Sequence, residues 1–158
     1  MLPDVVAALM MTGLVVYALT GGADFGGGVW DLLARGPRAG AQRKLIEKAI
    51  APVWEANHVW LIFVVVLLFS GFPTAFSALS IALHIPITLM LLGIIFRGSA
   101  FVFRQYGGGD TTAWQRTFAV ASAVTPVFLG VIVGAITTGR IRVVDGVTTA
   151  GWFEHWTS

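Results

Sequence analysis

Cysteine is absent from the 158 residues, which excludes a disulfide scaffold and any thiolate-held metal or cluster. Charge is nearly as scarce. Asp, Glu, Lys and Arg together make up 11% of the chain, against roughly 25% in a soluble domain, so a water-facing surface could not be covered. The slight excess is positive, a formal +2 with a pI near 9.5. Lys and Arg flank apolar runs and form no stripe, so they read as topology signals and not as a nucleic-acid surface. Disorder fails on the opposite ground, because 56% of the residues are hydrophobic. A mean hydropathy of +0.82 leaves an integral membrane protein.

The apolar runs predict an all-α membrane fold, a single four-helix unit covering residues 1–158. Val5 to Ala23 carries no charge and is long enough to cross the hydrocarbon. No basic residue precedes Arg35, so this run is not expected to be a cleaved signal. Ala56 to Phe96 is also uncharged, and Ser70-Gly71-Phe72-Pro73 reads as a turn within it. Spans are therefore expected at about 56–70 and 75–96, with a last one at 117–139 between Arg116 and Arg140. Arg35, Arg38, Arg43, Lys44 and Lys48 follow the first span, and Arg97, Arg104 and Arg116 lie between the third and fourth. The positive-inside tendency puts both connections in the cytoplasm and both termini outside, with Arg140, Arg142 and His155 as a smaller opposing set. Leu45, Ile46, Ala49 and Ile50 recur at helical spacing, which predicts a short amphipathic helix along the cytoplasmic surface before Pro52.

Chemistry in such a chain is expected where polar residues enter the spans, since burying them is costly. Asp24 and Asp31 are seven apart, two helical turns, with Gly26-Gly27-Gly28 between them. The glycines read as packing residues, because no strand precedes them and no Lys-Ser/Thr follows to cradle phosphate. In Ala51-Pro52-Val53-Trp54-Glu55-Ala56-Asn57-His58-Val59-Trp60, Glu55 and His58 share a helical face. Two readings stay open for them. One is a proton relay, in which a carboxyl drawn partly out of water exchanges protons with the imidazole. The other is structural: Glu55 caps the span or pairs with an arginine, and Trp54 and Trp60 anchor at the headgroups. Arg97 and Arg104, also seven apart, could pair with Asp24, Asp31 or Glu55, or reach out to lipid headgroups. His84 has no expected partner at its own depth, so haem ligation is not expected and an internal hydrogen bond is preferred. Gly130 and Gly134 suggest a close helix contact, Pro126 a kink, and His155 beside Trp152 and Trp156 an interfacial tail.

Three segments resemble subunit II of the cytochrome bd quinol oxidases. Gly22-Ala23-Asp24-Phe25-Gly26-Gly27-Gly28 is similar to the family's glycine-rich Asp motif. Ala51 to Ile62 resembles its Pro-x-Trp-acid-x-Asn-x-Val-Trp motif. Phe72-Pro73, Phe76-Ser77 and Gly93 to Arg104 resemble the segment that follows. The resemblance implies a subunit without catalytic residues, haem or metal of its own, in a bacterial or archaeal cell membrane. Its implied partner, subunit I, carries b- and d-type haems, oxidises quinol and reduces oxygen to water. It further implies that Glu55 and Asp24 lie on a proton route from the cytoplasm; His58 would add a titrating group beside them, and the residues themselves suggest Asp31, Arg97, Arg104, Trp54 and Trp60 as supporting ion pairs or interface. This chain departs from the pattern at Gly21, where many members have Asp, at Glu55, often Asp, and at His58, in some Gln. The family usually has about eight spans in two halves, and this chain resembles the first. A fragment, a separate second half and a pair of copies all fit that difference, with membrane lipid as the surroundings.

Two further functions compete with an oxidase subunit. Half of a proton-coupled transporter, acting as a homodimer, would use Glu55 and Asp24 to bind protons, but such a site belongs near mid-membrane and these acids cluster at one end. A purely structural scaffold would hold a redox partner without conducting protons.

Overall fold

A computed structural model describes residues 1–107, 112–144 and 147–149, in five helices and a short hairpin. The interfacial tail expected at His155, Trp152 and Trp156 lies outside the described residues. Helix α1 spans Leu2–Leu33, α2 Ala39–Gly71, α3 Pro73–Ala82, α4 His84–Tyr106 and α5 Thr112–Thr137. Strands β1 (Arg142–Val144) and β2 (Val147–Thr149) pair antiparallel. Four of the helices are long and apolar enough to cross a membrane, and the chain is a multi-pass membrane protein.

The helices run well past the expected spans. In α1 the helix continues through Gly26-Gly27-Gly28 to Leu33, although glycine lowers helix propensity. In apolar surroundings a backbone amide that leaves the helix loses its partner, which outweighs that preference. The helix stops where Ala34 turns extended and Gly36 takes a positive φ of 82° ahead of Pro37. As a result Asp24 and Asp31 both lie inside α1, on one face. Helix α4 likewise continues beyond Phe96 to Tyr106 and carries Arg97 and Arg104 within it.

Two expectations about the connections need correction. The amphipathic stretch is not a separate surface helix; it forms the first turns of α2, which runs unbroken through Pro52. Arg43 holds it in place by donating to the carbonyls of Asp31 (3.4 Å) and Ala34 (2.9 Å), closing off the end of α1. Conversely, the third span is divided at Leu83 into α3 and α4. Pro86 has no N–H for the carbonyl four residues back, while Leu83 N–H to Leu79 O and Ile87 N–H to Leu83 O, both 2.9 Å, keep the two pieces joined. The hairpin was not anticipated, although Asp145-Gly146 between β-branched residues is a recognisable sequence signal for one.

Helix α1 packs on α2 and α5, and α4 packs on α5. The ends of α1 and α4 and the starts of α2 and α5 gather at one end, together with Arg35, Arg38, Arg43, Lys44 and Lys48; we call this the basic end. Close approach depends on the α1 glycines. A β-carbon on Gly27 would run into the Ile50 side chain of α2, and one on Gly28 into Ser122 of α5. Gly130 and Gly134 differ from expectation, as a β-carbon on either meets no atom of the described chain within 4 Å.

Gly28→Leu is therefore expected to destabilise the bundle by about 1–3 kcal/mol through overpacking. Gly26→Leu, which points into open space, should leave stability unchanged. Thermal unfolding of the two variants side by side checks this, and equal midpoints would contradict the packing.

Candidate functional site

Two ion pairs form a ladder between α1 and α4. Asp24 and Arg97 are both fully buried, and the guanidinium binds the carboxylate through both oxygens: NH1 donates to Oδ2 at 3.0 Å and NH2 to Oδ1 at 2.5 Å. NH2 also donates to the Asp24 carbonyl at 2.8 Å, and Nε donates to Ser122 Oγ of α5 at 2.8 Å. Seven residues on along each helix, Arg104 NH2 donates to Asp31 Oδ1 at 3.0 Å, with Glu47 Oε2 of α2 at 3.7 Å. Both partners advance in the same direction, so α1 and α4 run parallel. The rungs lie two turns apart because seven residues return each side chain to nearly the same face.

Aromatic rings fill the space around the cations. The Arg97 guanidinium lies 4.9 Å from the Phe25 ring centre and 5.0 Å from that of Phe118, and Arg104 lies 5.0 Å from Phe118. Such faces attract cations that have lost their water. From α2, buried Asn57 donates through Nδ2 to Asp24 Oδ2 at 3.2 Å, and its Oδ1 accepts from Thr20 Oγ1 at 2.8 Å. Four helices thus contribute to one polar knot: α1 the carboxylate, α4 the guanidinium, α2 the amide and α5 the hydroxyl.

The relay candidates stand in different surroundings. Glu55 is exposed and, among the described residues, makes no hydrogen bond or ion pair. His58 does not bond to it. Its Nδ1 lies 2.9 Å from the Trp54 carbonyl, and a carbonyl only accepts, so Nδ1 is the donor of this bond. His58 also lines a small cavity with Tyr17, Phe25 and Asn57, which brings it beside the knot. Trp54 stacks on Phe101 of α4 at 5.3 Å and meets the His58 ring edge-on at 5.0 Å. Its buried Nε1 has no hydrogen-bond partner among the described residues. Trp60 packs edge-on against Phe63 at 5.9 Å, away from the charged residues.

Haem ligation between the described histidines does not fit. The Trp54–Phe101 stack sets the level of α2 against α4, which places His58, one turn further on, near the level of Arg97. His84 lies thirteen residues from Arg97 along α4, about 20 Å at the helical rise. Its Nδ1 turns to Ile81 O at 3.0 Å.

Residues 2–158 match the family described as cytochrome bd terminal oxidase subunit II. The chain belongs to that family. The cytochrome bd-I ubiquinol oxidase subunit 2 of Escherichia coli K12 is 29% identical over 130 residues, 80% of this chain and 33% of that protein. The cytochrome bd ubiquinol oxidase subunit 2 of Bacillus subtilis is 32% identical over 95 residues, 58% of this chain and 28% of its own length. A second Bacillus subtilis relative is 27% identical over 147 residues, covering 90% of this chain and 41% of that protein. The chain therefore spans less than half the length of these relatives. Within this family member, the glycine-rich Asp motif and the Arg97 segment supply the two sides of one buried pair.

Sequence reasoning left Asn57, Ser122, Thr20, Phe25 and Phe118 without roles. One signal was available for Asn57 and Ser122: a polar side chain in an apolar span needs a partner, and an acid and an arginine already required several.

Removing one member of the inner pair leaves the other charge buried and unmatched. Arg97→Met is expected to destabilise the chain by about 3–5 kcal/mol, and Asp24→Leu combined with Arg97→Met by distinctly less. A double-mutant cycle on unfolding in detergent measures the difference. Simple additivity of the two single changes would contradict the pairing.

Proposed function

We propose that this chain is the haem-free subunit II of a cytochrome bd-type quinol oxidase and supports assembly and proton uptake for it. The relatives are named as subunits of quinol oxidases, and the family match covers nearly the whole chain. In this reading the haem-bearing subunit I oxidises quinol and reduces oxygen to water, using b- and d-type haems. The present chain is the first of two four-helix halves. Its basic end faces the cytoplasm of a bacterial or archaeal cell and its N-terminus lies outside, as the distribution of Lys and Arg favours.

Water formation consumes one proton for every electron delivered to oxygen, so a buried oxygen site needs a proton route. The observation that carries the proposal is the contrast between Glu55 and Asp24. Glu55 is an exposed carboxylate with no partner among the described residues, free to collect and release protons. His58, three residues on, in its neutral form offers Nε2 as the next acceptor. Asp24 is bound by Arg97 through both carboxylate oxygens, so its part is to hold the helices that flank the route in place. Asp31, Arg104 and Glu47 brace the helix ends from which the route begins, and Trp54 holds the His58 ring edge-on.

Glu55→Gln should slow oxygen consumption by about 10²-fold or more if this residue carries the rate-limiting proton transfer, with the complex still assembled. Glu55→Asp should recover much of the rate. Oxygen-electrode turnover of purified, haem-replete complex tests it, and unchanged turnover in Glu55→Gln would remove Glu55 from the route.

A further inference from the structure

The apolar face at the start of α2 is left partly open by α1, with Leu45 70% exposed. Leu45, Ile46 and Ala49 form one wall of a groove of about 740 Å³ whose other side is α1, a size within the range of ligand-holding clefts. Its floor is Gly22 and Gly26, where a β-carbon would meet no atom within 4 Å. This openness is local, since the adjacent Gly27 is closed by Ile50.

The polar end of the groove is one-sided in charge. Among the described residues Arg35 is the one charged residue that lines it, Gln42 lies at the same end and no carboxylate contributes. Arg38, the residue from which α2 starts, has no side-chain hydrogen bond capping that helix, so the positive end of the helix dipole also faces this end. Trp30 at the rim is 68% exposed and has the amphipathic character of residues that sit at headgroup level. The nearby carboxylate of Asp31 is turned to Arg104.

We propose that this groove binds an anionic phospholipid of the surrounding membrane, one acyl chain lying over Gly22 and Gly26 and the phosphate held by Arg35 and Gln42. An apolar channel ending in a guanidinium and an amide matches a chain that ends in a phosphodiester. A zwitterionic lipid would bring its own ammonium against Arg35 and bind less well. The site stands apart from Glu55 and does not depend on proton conduction.

The test uses the complex as purified from its native membrane, exchanged into nanodiscs of phosphatidylglycerol and phosphatidylcholine, with retained lipid counted by native mass spectrometry after release into detergent. The unaltered complex should retain phosphatidylglycerol in preference to phosphatidylcholine. Arg35→Gln should reduce that retention by about five-fold, the factor expected for one basic residue. Gly26→Leu should displace both lipids from the site. A photo-reactive amino acid replacing Leu45 should cross-link to lipid in native membranes. No preference for phosphatidylglycerol, unaltered retention in Arg35→Gln and Gly26→Leu, or cross-linking of position 45 to a polypeptide would each overturn the proposal.

Discussion

A guanidinium and a carboxylate buried together impose more on this bundle than any apolar contact in it. Taken singly, Arg97 or Asp24 would be too costly to remove from water. Together they are tolerated because each polar atom finds a further partner: Ser122 from α5, Asn57 from α2 and the Asp24 carbonyl itself. That requirement fixes the rotation of the helices around a shared interior. It also explains why α1 carries glycine where α2 and α5 close on it, since a bulkier face would hold the amide and hydroxyl out of reach. The second rung repeats the arrangement two turns on and keeps α1 and α4 in register.

This arrangement separates the acidic residues by what they are free to do. Asp24 and Asp31 are held by arginines, and Glu47 leans toward Arg104. Glu55 lies only two residues from Asn57 of the knot, yet it is exposed and bonds to none of the knot's members. Holding charge and moving it make opposite demands on a carboxylate: the first needs close fixed donors, the second needs access and a changing proton. The ladder meets the first demand so completely that a transporter-like role for Asp24, binding and releasing protons in mid-membrane, has little room.

Much of the architecture was legible in hydropathy, because only helices satisfy their own backbone in lipid. The four apolar runs, the break before Pro73 and the seven-residue spacings of the acids and the arginines all followed from the chain. What periodicity could not supply was the partner of each charge. Spacing showed that Asp24 and Asp31 share a face and that Arg97 and Arg104 do; only the parallel packing of α1 and α4 shows which meets which. A charged residue limits an apolar run in the sequence but not the helix that carries it, because pairing allows α1 to hold two of them inside the helix. Pro52 and Pro86 show the same context dependence, one passing within a continuous helix and the other following a division.

The proposed role as the haem-free member of a larger redox complex is tested most directly by isolating that complex. A tagged copy would be purified in mild detergent from its native membrane and examined by subunit mass and by its reduced-minus-oxidised visible spectrum. The expected result is a larger co-purifying subunit, with b- and d-type haem bands that remain with that subunit when the two are separated. A colourless preparation containing this chain alone, stable and without a partner, would contradict it.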